Sequence, residues 1–207
     1  MTVYDLDRLR AAVSDRLPER RLAHVLSVER QMTYLAQLLL PQEMLRLRAA
    51  ALLHDIAKDI PDEQQPALCD ALGISLTPAE RATPPILHAR SGAVIAARDF
   101  PAFTDPEILR AITLHTTGAS GMTLFERMLM AADFSEPRRQ WERCQSVRQK
   151  IMQIPRTAPL AQRRLMFDRA FLYMLEVKYD YIATTGTVWN EDTQQMLAYY
   201  RRKFAQK

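Results

Sequence analysis

The sequence predicts an all-α single domain, and three observations predict it. Apolar residues recur every three or four positions along nearly the whole chain. Capping residues and prolines punctuate that pattern where helices should begin and end. No alternating strand pattern of useful length interrupts it.

Taken in order, Leu6, Leu9, Val13 and Leu17 form the first apolar stripe, and Leu22, Val25, Val28, Met32, Leu35 and Leu39 the second. Pro41 breaks the chain, and a helix reads through Met44–Ala57 with Leu45, Ala49, Leu52, Leu53 and Ile56 inside. Thr77, Pro78 and Glu80 combine an N-cap, a first-turn proline and a capping-box partner. Thr83-Pro84-Pro85 stops that helix, and another runs from His88 to Asp99. Asp105-Pro106 opens the next, which Gly118 ends. Thr123 with Glu126 is a second capping box, opening a helix through Asp133 that Pro137 limits. Two longer helices are expected near 158–183 and 191–205. Residues 184–187 form the loop between them, and Asn190 caps the last. The expected total is nine or ten helices. No linker divides the chain, so residues 1–207 read as one domain with its C-terminal helices packed on it.

Composition narrows the class. The 207 residues are 48% hydrophobic and 25% charged, which excludes a disordered chain. No apolar run reaches the roughly 18 residues of a membrane span. The first twenty residues carry acidic groups and no apolar signal core, so a cytoplasmic location is expected. Cys69 and Cys144 form no CxxC motif and fit reduced thiols in that compartment. A net charge of +4 suits an anionic partner such as a nucleotide. Basic residues thicken toward the C-terminus, among them Arg138, Arg139, Arg143, Arg148, Arg163 and Arg164, either as a solvated helix face or as anion contacts.

The four histidines, His24, His54, His88 and His115, each lie in or beside an expected helix. His54 is followed by Asp55 in the nearly apolar stretch AALLHDIAKDI. A buried carboxylate needs a counter-charge. A metal ion would supply it, as would a salt bridge to Lys58 or an arginine. Asp133 poses the same problem in LFERMLMAADFSEP, where Ala131 and Ala132 permit close approach.

The order His24, then HDIAK at 54–58, then Asp133 resembles the HD-domain metal phosphohydrolases. RLAHVLSVERQMTYLAQLL, RAAALLHDIAKDIP, HARSGAVIAA and PEILRAITLHTTGASGMTLFERMLMAADFSEPRR narrow the resemblance to the YqeK-type HD family of bacterial symmetrical bis(5′-nucleosyl)-tetraphosphatases. It spans roughly residues 7–195, with Trp189-Asn190 similar to a late signature. HTTG at 115–118 and the AD..EP.R pattern at 132–138 are its most specific parts.

The resemblance implies hydrolysis of diadenosine tetraphosphate to two ADP by a metal-activated water. It implies His24, His54, Asp55 and Asp133 as ligands of one metal, and His88 and His115 as ligands of a second, with Asp55 bridging. All four histidines then have a place. Imidazoles and carboxylates without thiolates suit transition metals, with iron the first choice and manganese or cobalt the alternatives. Asp55 and Lys58 are the expected catalytic pair. Lys58, three residues after Asp55, would hold a phosphate or shield that carboxylate. Thr116, Thr117 and Arg138 are the further substrate candidates, each with a plain reading as a cap or helix-end residue. A nucleotide is the expected partner and a homodimer the assembly to consider; neither a membrane nor a nucleic acid is expected. The alternatives are an HD phosphohydrolase for another nucleotide, or a nucleotide-binding HD protein with little turnover.

Overall fold

The computed structural model describes residues 5–185 and 191–205. The described residues form eleven α-helices, joined by short 3-10 turns and loops. They are α1 (Leu6–Arg16), α2 (Glu19–Leu39), α3 (Met44–Leu53), α4 (Gln65–Ala71), α5 (Pro78–Arg81), α6 (His88–Asp99), α7 (Pro106–Leu114), α8 (Leu124–Ser135), α9 (Glu142–Met152), α10 (Leu160–Thr185) and α11 (Glu191–Ala205). The architecture is the all-α single domain that the periodicity predicts.

The helices begin where the capping chemistry says. Asp5 accepts from the Arg8 amide, and Asp105 Oδ1 accepts from the amides of Glu107 and Ile108 at 2.9 and 3.0 Å. Thr77 with Glu80 and Thr123 with Glu126 form complete capping boxes, satisfying amides that a helix start leaves without partners. Gly118 takes φ +71°, and its amide closes onto the Leu114 carbonyl at 2.8 Å. A side chain is excluded there twice, because a Cβ would also lie 2.1 Å from the Met196 sulfur.

At the centre lies α2, whose Val25, Val28, Met32, Leu35 and Leu39 are fully buried. It packs against α3, α8 and α10, so its Val25 stripe and the apolar faces of three other helices share one core. Its C-terminal carbonyls are capped from α10: Arg163 donates to Leu38 at 2.6 Å and Arg164 to Leu39. Arg148 likewise binds the carbonyls of Ser135 and Glu136 at the end of α8. These three arginines close helix ends and are neither a solvated face nor anion contacts.

Three local expectations are corrected. The helix expected through Ala57 ends at Leu53, and His54 to Asp59 form successive tight turns, with Ile56 bonding Leu53 and Lys58 bonding Asp55. The carbonyls released from the helix find a distant partner, since Gln65 Nε2 donates to Ala57 at 2.9 Å and to Ile60 at 3.3 Å. The helices α4 and α9 were not expected: neither has a side-chain cap of the kind that marks α5 and α8, although Pro66 stands in the first turn of α4. Thr184 and Thr185, expected in the loop, belong to the last turn of α10, and the expected cap Asn190, Trp189 and the loop residues Gly186 and Thr187 lie outside the described residues.

Candidate metal centre

Five elements deliver the six expected ligands to one place. His24 comes from the second turn of α2, and His54 and Asp55 from the turns after α3. His88 opens α6, His115 follows α7, and Asp133 sits in the last turn of α8. The His54 and His115 rings are 5.0 Å apart, His88 and His115 5.2 Å, and His24 and His54 5.5 Å.

Asp55 stands between two groups of imidazoles. Its Oδ2 lies 3.5 Å from His24 Nε2 and 3.6 Å from His54 Nε2. Its Oδ1 lies 3.5 Å from both His88 Nε2 and His115 Nε2. Asp133 Oδ1 joins the first group, 3.1 Å from His24 Nε2 and 3.8 Å from His54 Nε2.

Every histidine is oriented by its other nitrogen. His54 Nδ1 donates to the Ala51 carbonyl at 2.7 Å, His88 Nδ1 to Pro85 at 2.8 Å, and His115 Nδ1 to Ile112 at 2.7 Å. In each case the acceptor is three residues earlier, so the local turn sets the ring. His24 Nδ1 instead faces Glu136 Oε1 at 3.3 Å. A proton held on Nδ1 leaves the Nε2 lone pair aimed inward, the arrangement a metal ligand requires.

Those inward nitrogens test whether a cation fits. The buried Nε2 atoms of His24 and His54 make no hydrogen bond. His88 Nε2 and His115 Nε2 face one another at 3.3 Å, and with both Nδ1 atoms protonated neither can donate. Burial, with the neighbouring His115 adding to it, lowers the His88 pKa to about 3, and burial lowers His54 to about 4, so both rings are neutral donors at neutral pH. Burial also opposes ionisation of Asp55 and Asp133. Histidine neighbours at Asp55, and Arg139 with His24 and His54 at Asp133, outweigh it and hold both well below the usual carboxylate range. Burial lowers His24, but Asp133, Glu136 and Asp55 outweigh it and raise its pKa to about 9, so this end of the site draws positive charge. The donor set therefore fits cations, and it is nitrogen and oxygen throughout.

Arginines also meet the carboxylates. Arg21 Nη1 lies 2.6 Å from Asp55 Oδ2 and its Nε 2.9 Å from Asp59, while Arg139 Nη2 lies 2.6 Å from Asp133 Oδ1. These pairs supply part of the counter-charge but cannot satisfy the imidazole lone pairs. Lys58 does not shield Asp55. Its Nζ donates to the Pro85 carbonyl at 3.0 Å and sits 3.3 Å from His88 Nδ1, steadying the turn before α6.

A cavity of about 600 Å³ opens over the cluster. Asp55, Lys58, His88, His115, Thr116 and Asp133 line it, with Arg21, Arg139, Arg143 and Lys178 supplying positive charge and Phe134, Trp141, Val177 and Tyr181 an apolar side. The Thr116 hydroxyl lies 3.2 Å from His88 Nε2 and 3.1 Å from His115 Nε2.

Two substrate candidates fall outside this cavity. Thr117 does not line it, and its carbonyl accepts from Thr193 on α11 at 3.0 Å, tying the loop to the C-terminal helix. Arg138 is exposed, and its amide donates to Glu136 Oε2 at 2.6 Å; Pro137 starts a turn that presents Arg139 to the cavity instead. Sequence reasoning missed Arg21 and Lys178, named Arg139 only among the basic residues toward the C-terminus, and did not pair Glu136 with His24. Lys178 carried a signal: it follows Phe171, Met174 and Leu175 at helical spacing, a charge at a core register, as Asp133 is. Its Nζ donates to the Thr116 carbonyl, and burial lowers its pKa to about 8.

Comparison with known proteins agrees with this geometry. The HD domain family model matches residues 21–154. A symmetrical bis(5′-nucleosyl)-tetraphosphatase of Bacillus subtilis (strain 168) is 32% identical over 140 residues, which are 67% of this chain and 73% of the relative. The protein of that name from Staphylococcus aureus is 30% identical over 137 residues, 65% of this chain and 68% of the relative. A crystal structure from Clostridium acetobutylicum, described as an HD superfamily hydrolase involved in NAD metabolism, has a TM-score of 0.81 at 24% identity and covers 97% of this chain and 99% of that one, a likeness of fold. With the HD segment at the meeting point of five elements and relatives of one name along two thirds of its length, the chain belongs to the HD-domain family, in the group of the symmetrical bis(5′-nucleosyl)-tetraphosphatases.

Proposed function

We propose that this protein hydrolyses dinucleoside polyphosphates, cutting diadenosine tetraphosphate at its central phosphoanhydride into two ADP. The observation that carries the reading is Asp55, which offers one oxygen to His24 and His54 and the other to His88 and His115. His24, His54, Asp133 and Asp55 would hold one metal ion, and His88, His115 and Asp55 a second. When bound, the pair supplies Lewis-acid polarisation of phosphoryl oxygens and lowers the pKa of water. Iron is the first choice, with manganese or cobalt as alternatives.

The chain's own groups do the rest. A tetraphosphate linker carries several negative charges, and Arg139, Lys178 and Lys58 face it from the cavity wall. Charge-assisted contacts from these groups neutralise oxygens on the departing ADP, which makes it a better leaving group. The Thr116 hydroxyl, beside His88 and His115, donates to a phosphoryl oxygen. Burial of the histidine cluster keeps these interactions in a low dielectric, where they are stronger. The printed names of the curated relatives support the symmetrical cut.

The acting unit is proposed to extend beyond the matched HD segment, because α10 brings Lys178, Val177 and Tyr181 to the cavity. Among the described residues no helix is long and apolar enough to cross a membrane. We place the protein in the cytoplasm, where the buried free thiols of Cys69 and Cys144 stay reduced. A homodimer is the assembly to test by light scattering.

Hydrolysis in ¹⁸O-labelled water, followed by chromatography and mass analysis, tests the reaction. ADP alone, with one label per cut, is the expected result. ATP plus AMP would remove the symmetrical cut, and turnover confined to another nucleotide would remove the substrate class.

A further inference from the structure

Two exposed aromatic side chains call for a reason. Among the described residues Trp141 is 69% exposed and Tyr181 45%, and they are the exposed large aromatics of the protein. Exposing a large ring to water is unfavourable. Both line the cavity over the histidine cluster. They come from different elements: Trp141 caps α9 and Tyr181 lies near the end of α10. Arg143 joins them, its guanidinium 4.9 Å from the centre of the Tyr181 ring. One residue separates Trp141 from Arg139, which binds Asp133 at 2.6 Å. The aromatic wall is thus continuous with the charged part of the cavity.

We propose that Trp141, Tyr181 and Arg143 form a stacking platform for the nucleobase of the substrate. The inference rests on the reading of this cavity as a nucleotide site and deepens it. Flat, exposed rings and a planar guanidinium match the π-face of a base. Stacking reads the face and not the edge, so it tolerates different bases. The platform therefore predicts weak discrimination between adenine and guanine. It also assigns the base a fixed side: α9 and α10 hold the nucleoside, while the HD turns and α7 hold the phosphates.

Binding tests this apart from turnover. Metal-loaded protein is titrated with ADP, GDP and pyrophosphate, following tryptophan emission and, by calorimetry, affinity. ADP and GDP should change the emission and bind within a few-fold of each other, and pyrophosphate should leave the emission unchanged. Trp141→Phe should remove most of that emission change. Trp141→Ala with Tyr181→Ala should weaken ADP roughly tenfold or more, with metal content and pyrophosphate affinity unchanged. ADP affinity equal in wild type and the double variant would overturn the platform, as would wild-type protein that binds ADP no better than pyrophosphate. Normal ADP binding with no hydrolysis of any dinucleoside polyphosphate would count against the proposed reaction and leave the platform supported.

Discussion

His88 and His115 aim their Nε2 atoms at each other across 3.3 Å, while a backbone carbonyl takes the Nδ1 proton of each ring. Two lone pairs at that distance repel unless positive charge lies between or beside them. Thr116 can donate one hydroxyl proton to one of them, so at least one lone pair is left for a cation. The same unmet acceptor recurs at His54. The predictions follow from these atoms and their neighbours.

Asp55→Ala should remove the only carboxylate placed between both histidine groups among the described residues. Elemental analysis should find the protein depleted of both metals, with turnover down at least about 10²–10³-fold. His88→Ala should instead retain about one ion per chain and still lose hydrolysis. Two ions per chain in Asp55→Ala protein would contradict the bridging role.

Glu136→Gln tests a residue that touches His24 and not the metal. The carboxylate fixes the His24 ring through Nδ1. Its loss should weaken the neighbouring ion roughly 10–100-fold in chelator competition. Unchanged metal affinity would make Glu136 a merely structural helix-end group.

Lys178→Met should raise KM for the tetraphosphate about tenfold, the worth of one charge-assisted contact. Metal content should stay the same, because Lys178 binds the Thr116 carbonyl and not the ligands. An unchanged KM would place the lysine outside substrate binding.

Acid should weaken the fold through Asp105. Burial raises its pKa, but Arg46, at 2.8 Å, and the amides of Ile108 and Glu107 outweigh it and leave it lowered. A lowered folded pKa contributes stability above the unfolded value, near 3.9, and loses it as pH falls further. Asp105→Asn keeps an N-cap acceptor and removes the ion pair. Its melting temperature should lie below wild type at pH 7, and the gap should narrow below pH 4. A gap that widens in acid would reverse the sign of this argument.

Much of the fold was legible because helix signals are local. The caps at Thr77 and Thr123 and the stop at Gly118 act within four residues of themselves. The unwinding at His54 was not legible, because the group that accommodates it, Gln65, belongs to another element. Helical spacing also placed Lys58 on one face with His54 and Asp55, and the tight turns sent it to Pro85 instead. Arg138 and Arg139 are neighbours of identical type, and only the turn after Pro137 separates the exposed one from the one at Asp133.

By itself the sequence determined that the protein is helical, and its resemblance to the HD family implied six ligands, four of them all its histidines, for two metal ions. Only the tertiary structure decided which nitrogen of each ring faces inward, which oxygen of Asp55 serves which pair, and which arginines reach the carboxylates. Periodicity records how each residue relates to its own helix axis. It carries nothing about ring orientation or about contacts between elements more than a hundred residues apart, such as His24 and Asp133, and those contacts are what make the site.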